Sequence, residues 1–486
     1  MKRILAFVML AALLVSMLAA CGGGSTNTPT EATEPMTDAS GEQLVGNFAI
    51  PAGGYDGSEV TITFGHTMGA KLQEVLNYHI GEFNKLFPNI TIEHNTYGGW
   101  GDIAGLINTE IMGDNQPNIA YCYPDHVAMY NMSKSTVILD DLIASQIEVA
   151  HADGTTEILG LTDAQVEDFI DGFYNEGMQY GDGLMYTMPL SKSTEVLYYN
   201  KTFFEANNLS VPTTWEEMKT VCEQIKALDE NCIPLGYDSE DNLFITMCEQ
   251  YGYDYTSATG DEHYLFNNDN CKSFVKELRE WFQAGYITTE ALYGSYTSGL
   301  FTELDKSISH SYMCIGSSGG ASYQIPEGGA FEVGVAPIPQ VNPDAGKVIS
   351  QGPSLCILKG GKTSDQQVLA SWLFVKFLTT NMAFQTEFSS TSGYMPVIES
   401  AQDNEIYAQW LGKANGADFL TALVVKVGLE QADTYFTSPA FNGSSVARTQ
   451  VGALLAKCMS ESAADVDGLI NNAFQDAYDE CVFLGG

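Results

Sequence analysis

The sequence predicts an α/β fold with more than one lobe. Three observations carry this. Strand-like and helix-like periodicities alternate from Val60 to Tyr123. The alternation restarts after Tyr198. The chain has 486 residues, 45% of them hydrophobic and 11% aromatic, enough for two or three packed domains and too apolar for global disorder.

The N-terminus comes first. Lys2 and Arg3 precede an apolar run, Ile4–Ala20, that ends in Leu18-Ala19-Ala20-Cys21 and three glycines. This pattern reads as a secretory signal with a lipobox, so Cys21 is expected to be lipidated and residues 1–21 to be the processed segment. The other readings are an ordinary signal peptide with an incidental cysteine, or a transmembrane anchor, for which the run is short. Residues 22–57 are rich in Gly, Ser, Thr, Pro and Glu and predict a flexible tether.

Val60–Phe64 alternates as a first strand. Lys71–Phe87 places Leu72, Val75, Leu76, Ile80, Phe83 and Phe87 at helical spacing, and Pro88-Asn89 stops it. Ile90–Glu93 is a second strand, Tyr97–Trp100 a loop, Ile103–Met112 a helix and Asn118–Tyr123 a third strand. That order predicts a parallel sheet, with ligands bound beyond the carboxyl ends of its strands. Val196–Tyr199 suits a buried strand. Thr214 and Glu217 form a capping box for the amphipathic helix to Leu228. Asp241–Tyr251 and Asn270–Gln283 are further helices. Ser307–Gly316, Phe331–Pro339 and Gly352–Leu358 are strands. Ser364–Thr379 is a strong helix, and several more helices follow Tyr394.

Charge excludes some partners. Lys and Arg number 21 against 61 Asp and Glu, a formal net charge of −40. Such a chain repels phosphate backbones and anionic membrane surfaces, so nucleic acid is not an expected partner. Cys21 aside, nine cysteines remain, scattered and without a Cys-x-x-Cys pair, which argues against a disulfide framework. Cys122, Cys314 and Cys356 read as small core hydrophobes. A single bridge, such as Cys222 with Cys232, stays open.

Catalytic and metal motifs fail. Gly316–Gly320 matches a nucleophile elbow, but every histidine precedes Ser318. Gly361-Lys362-Thr363 ends like a phosphate loop, yet Cys356 stands where its first glycine belongs. There is no zinc signature. A glycosidase carboxylate pair is not excluded by counting.

The segment Pro189-Leu190-Ser191, then Tyr198-Tyr199-Asn200-Lys201, Phe204, and Pro212-x-Thr214-Trp215-Glu216-Glu217, resembles the hinge-crossing segment of bacterial extracellular solute-binding proteins, family 1, the receptors of sugar-type ABC importers. The stretches 331–339, 352–380 and Ser392–Val397 resemble further pieces of that family, in the same order. The likeness runs from about Val60 to the C-terminus. It implies a two-lobed, periplasmic-binding-protein-like fold with three hinge crossings, near Ser193, Ser317 and Gly393, around a central ligand cleft. The lobes would comprise 58–192 with 317–392, and 193–316 with 393–486.

The resemblance also implies a site. His66 and Met68 follow strand one, where relatives place a ligand loop; a lone His is more often structural. Trp100 and Tyr394 are candidate stacking surfaces for sugar rings, with core packing as the alternative for each. Asp125 is a candidate acceptor of hydroxyl hydrogen bonds, or else a helix cap. Ser193, Ser317, Ser318 and Gly352 fall at the crossings. Arg448 resembles a late arginine of the glycerol-phosphate and disaccharide-receptor branch; it suits a phosphate or carboxylate, or else a salt bridge. The glycerol-phosphate receptors carry tryptophans near Gly236–Phe244 and an acidic residue near Ala70-Lys71, where this chain has neither.

The expectation is therefore a monomeric, non-enzymatic receptor without a cofactor or metal. It would be held by its lipid at the outer face of the cell membrane, binding a carbohydrate or polyol and docking on ABC permease subunits. The alternatives are a glycerol-phosphate or phosphodiester receptor of the same family, a secreted glycan hydrolase, or a sensory or adhesion module.

Overall fold

The computed structural model describes residues 44–303, 310–413 and 419–485. The expected signal segment, Cys21 and the expected tether up to residue 43 lie outside the described residues. The last part of the expected tether is corrected by the structure. Phe48 and Tyr55 are buried in the core. The Asn47 side chain accepts from the Ile138 amide at 3.0 Å and donates to the Thr136 carbonyl at 2.8 Å. Two apolar anchors and a satisfied amide dock this stretch on the body.

The chain then lays down strand β1 (Val60–His66), the helix Ala70–Leu86, β2 (Ile90–Thr96), the helix Trp100–Met112, β3 (Ile119–Cys122) and the helix Pro124–Asn131. A small hairpin, β4 (Glu148–Ala150) and β5 (Thr156–Ile158), precedes β6 (Met188–Pro189) and the long β7 (Ser193–Asn200). Next come the helix Trp215–Leu228, β8 (Leu235–Tyr237), the helices Glu240–Tyr251 and Asp269–Gln283, β9 (Ile287–Thr289), β10 (Met313–Ser317), β11 (Val333–Pro337), β12 (Val348–Gln351) and β13 (Ser354–Ile357). The helices Asp365–Thr380, Met382–Ser392 and Leu420–Glu430 follow. β14 (Tyr435–Phe436) and the helices Ser444–Ser460 and Val466–Gly485 complete the described chain. The capping box at Thr214 forms: its hydroxyl accepts from the Glu217 amide at 3.1 Å.

Besides the two-stranded β4–β5 hairpin, two large sheets result, one in each lobe. The first has the order β2-β1-β3-β13-β6. β1 is parallel to β2 and β3, but β13 is antiparallel to both β3 and β6. The expected parallel sheet is thus mixed. A parallel neighbour needs a helical crossover, and β13 enters straight from the other sheet without one. The second sheet runs β14-β12-β7-β10-β8-β9, with β11 also paired to β7.

β7 organises this second sheet. It is antiparallel to β10 along one edge, and to β11 and then β12 along the other. Its side chains alternate between two hydrophobic cores. Val196 and Tyr198 join the larger one, which fills the first lobe, and Leu197 joins that of the second. A strand buried on both faces needs an unbroken apolar run, and that is what the sequence provides.

Between sheets the chain passes at Leu190–Lys192 and again at Gly352–Pro353, and it re-enters the second sheet at β14. The crossings expected near Ser317 and Gly393 are displaced. β11 and β12 hydrogen-bond to β7, which keeps residues 333–351 with the second sheet, and β14 pairs with β12. Gly352 has φ +96°, and a Cβ there would lie 2.8–2.9 Å from the Ser191–Ser193 backbone. Only glycine lets the two crossing strands approach so closely.

The nine described cysteines are all buried and free, Cys222 and Cys232 among them. No described helix is long and apolar enough to cross a membrane.

Candidate functional site

Between the lobes lies a cavity of about 400 Å³. From the side of the first sheet it is lined by Trp100, Tyr123, Asp125 and Glu176. From the side of the second it is lined by Asp241, Asn242, Tyr255, Ser350 and Arg448. Local structure explains the placement. Trp100 and Asp125 stand in the first turns of the helices that follow β2 and β3, beyond the carboxyl ends of those strands. Asp241 and Asn242 open the helix Glu240–Tyr251, which Ser239 caps, and Arg448 projects from Ser444–Ser460.

One wall is aromatic. The Trp100 ring stacks on Tyr123, with centroids 4.4 Å apart, and lies nearly parallel to Tyr121 at 5.8 Å. Tyr394 is a neighbour of Trp100. The opposite wall is polar. Arg448 Nη1 donates to Asp241 Oδ2 at 2.7 Å and to Asn242 Oδ1 at 2.6 Å. Burial disfavours the guanidinium charge, but Asp241 and Asp125 more than offset this and raise its pKa. Burial likewise pushes Asp241 up, yet Arg448 and Ser239 outweigh it and hold the carboxyl below its usual range. The Ser350 hydroxyl, on a residue only 7% exposed, lines the cavity without a protein partner.

At the base, Lys192 and Glu176 form a fully buried ion pair. Lys192 Nζ also donates to Ser354 Oγ at 2.9 Å, and Ser354 Oγ donates to Glu176 Oε1 at 3.0 Å. Thr437 Oγ1 lies 3.4 Å from Glu176 Oε2. This network joins both crossings to the segment after β14.

Behind Asn242 sits Glu195 of β7, 1% exposed, taking a 2.5 Å hydrogen bond from the Tyr237 hydroxyl. Burial pushes its carboxyl from 4.5 up to about 8, against hydrogen bonds from Tyr237 and Asn242. The folded protein therefore keeps a proton that the unfolded chain has already released above its own lower pKa. Stability attributable to Glu195 is full below pH 4.5 and falls as pH rises through about 8. Glu195→Gln is expected to flatten the decline of the denaturation midpoint between pH 5 and 8, roughly the interval separating the two pKa values. Parallel wild-type and variant curves would contradict this.

Of the residues singled out in the sequence, Trp100, Asp125 and Arg448 line the cavity. Asp125 is in the first turn of its helix, its Oδ1 accepting from the His126 amide at 3.1 Å. Tyr394 packs beside Trp100 and over Gly319. Ser193, Ser317, Ser318 and Gly352 lie at strand ends and take structural bonds. Ser193 pairs with Gln351. Ser317 Oγ accepts from the Gly319 amide at 3.2 Å, and Ser318 Oγ from the Thr194 amide at 3.2 Å. His66 and Met68 are buried away from this cavity. β1 extends through His66, whose ring packs edge-on against Phe64 and bonds His94 at 2.9 Å. Burial, with His94 nearby, lowers its pKa to about 4.

Sequence reasoning missed Glu176 and Tyr123. It read Asp241–Tyr251 as a helix and noted the stretch for its lack of tryptophans, but assigned Asp241 and Asn242 no place in the site. Among the described residues, no group of three or more His, Cys, Asp or Glu side chains is arranged to hold a metal ion.

Two lobes, each with its own sheet, and a polar and aromatic cavity between them define a ligand receptor of the binding-protein class. Residues 80–414 match the family described as bacterial extracellular solute-binding protein, and the chain belongs to it. Among curated relatives, the sn-glycerol-3-phosphate-binding periplasmic protein UgpB of Escherichia coli strain K12 is 23% identical over 377 residues, 74% of this chain and 80% of the relative. Among solved structures, UgpB from Mycobacterium tuberculosis in complex with glycerophosphocholine superposes with a TM-score of 0.67 at 19% identity, covering 87% of this chain and 99% of that one. The cyclic alpha-maltosyl-1,6-maltose binding protein from Arthrobacter globiformis does so with a TM-score of 0.66 at 17% identity, covering 87% and 99%. At these identities the structures establish the shared fold.

Proposed function

We propose that this chain is the receptor of an ABC importer, anchored outside the cell by lipid on Cys21, and that it captures a carbohydrate or related polyol for membrane permeases. One observation carries the ligand class: an aromatic face at Trp100 and Tyr123 stands opposite hydrogen-bonding groups at Asp241, Asn242 and Ser350 in one cavity. Sugar rings present C–H faces that pack on aromatic rings and hydroxyls that donate to carboxylates. Trp100, Asp125 and Arg448 act in ligand contact, with Tyr394 supporting Trp100. Ser193 and Gly352 flank the crossings about which the lobes close, Ser318 braces Thr194 beside the first of them, and Ser317 caps the turn that follows β10. Ligand touching both lobes favours the closed state by its differential affinity, and no bond is made or broken. An Asp241 held ionised by Arg448 suits a hydroxyl acceptor better than a general acid.

The test is a thermal-shift screen of the chain without its lipid anchor. The panel holds mono- and oligosaccharides, polyols, glycerol phosphate and glycerophosphodiesters, with product analysis of each mixture. A ligand at about a hundred times its dissociation constant stabilises by about 2.7 kcal/mol. Stabilisation by an unaltered carbohydrate or polyol supports the reading. Consumption of the ligand, or a response to none of the neutral compounds, overturns it.

A further inference from the structure

The cavity spends its guanidinium on its own walls. Three carboxylates line it, those of Asp125, Glu176 and Asp241, against one guanidinium. That guanidinium is engaged at 2.7 Å by Asp241 and at 2.6 Å by Asn242. Both partners are fixed before any ligand arrives. They stand in the first turn of the helix Glu240–Tyr251, where Ser239 Oγ accepts from the Asn242 amide at 3.3 Å and donates to the other Asp241 oxygen. The helices carrying the two sides are packed closely: a Cβ on Gly452 would lie 3.3 Å from the Asp241 amide nitrogen. The second cation of the region, Lys192, is fully buried and paired with Glu176.

A phosphate entering this cavity would have to take Arg448 from Asp241 and then sit beside two uncompensated carboxylates, Asp125 and Asp241, since Lys192 neutralises only Glu176. Like charges in a partly desolvated site cost far more than in water. Neutral hydroxyls meet no such barrier, because they donate to the same carboxylates. We propose that Asp241 is the specificity-determining residue of the cavity: by holding Arg448 it closes the site to phosphorylated ligands and leaves it open to neutral hydroxylated ones. This rests on the reading of the cavity as the ligand site. It also separates the chain from relatives whose names specify sn-glycerol 3-phosphate.

The experiment titrates inorganic phosphate and sn-glycerol 3-phosphate into the wild type, Asp241→Asn and Asp241→Ser at low ionic strength, with calorimetry as the readout. The neutral sugar and polyol panel is run on the same samples. The wild type is expected to bind neither anion at millimolar concentration. Asp241→Asn keeps the shape but removes the counter-charge from Arg448, and is expected to gain affinity for both anions by about tenfold or more; one unit-charge contact is worth at least that in a desolvated site. The gain should vanish in Asp241→Asn with Arg448→Met. Asp241→Ser serves if the Asn variant does not fold. Tight binding of sn-glycerol 3-phosphate by the wild type overturns the proposal without any variant. Folded variants that ignore phosphate overturn it as well. If the wild type responds to a neutral sugar while the variants ignore phosphate, the role of Asp241 falls and the carbohydrate reading stands. If the variants gain phosphate while nothing neutral binds the wild type, the role of Asp241 stands and the carbohydrate reading falls.

Discussion

Replacing Lys192 by Met is expected to lower the unfolding free energy by about 3–5 kcal/mol, because it leaves the Glu176 carboxylate buried without its cation. Both side chains are almost fully buried, at 0% and 2% exposure, so solvent cannot take over the lost charge. Ser354 and Thr437 supply hydroxyls to Glu176 but no counter-charge. Denaturant titration measures the loss. The paired replacement, Lys192→Met with Glu176→Gln, should restore most of it, since the cost lies in the uncompensated charge and not in the missing attraction. A single variant within about 1 kcal/mol of wild type would mean that the pair is a surplus feature of the crossing. Because Glu176 lines the cavity, both variants should also alter ligand binding.

The second large effect is on binding. Trp100→Ala is expected to weaken carbohydrate affinity by about 2 kcal/mol or more, roughly thirtyfold, as truncation of a central aromatic contact does. The empty protein should lose less. Trp100 is half-buried, and its ring rests on Tyr123 and Tyr121, so the apo cost is about that of an aromatic pair, ~0.5–1.5 kcal/mol. Calorimetry against the ligand found by thermal shift, with the melting temperature of the empty variant, separates the two quantities. An unchanged affinity, or a collapse of apo stability with unchanged affinity, would assign Trp100 to the core.

Helices were legible where the chain announces their ends. Thr214 with Glu217, and Ser364 with Gln367, are caps that a reader of the sequence can place to within a residue. β7 was legible because both its faces are buried and its apolar run is unbroken. β8, β9 and β12 are three or four residues long, too short for any periodicity to emerge. Missing β12 displaced the second crossing from Gly352 to Ser317, since a strand at 331–339 alone does not reveal that β11 and β12 both pair with β7.

In the site, Arg448 stood out because cations are scarce in this chain. A salt bridge was one of the two roles expected for it, but its partner, Asp241, was not legible. That bond joins helices 207 positions apart and leaves no local trace. Glu176 was one acidic residue among 61, and only its burial against Lys192 distinguishes it. His66 misled because the boundary of β1 was set two residues early. The extra pair carries the ring into the sheet, where His94 takes its nitrogen.

The place of β13 bears on the order in which this chain folds. It lies between β3 and β6, so the first sheet remains split until residues 354–357 arrive, and Cys122 and its partner Ser354 are 232 positions apart. Closing so long a loop comes late and slowly. The N-terminal half therefore cannot complete its sheet during synthesis. A truncated product ending before β13 would expose an open hydrophobic edge and aggregate instead of yielding a free-standing lobe.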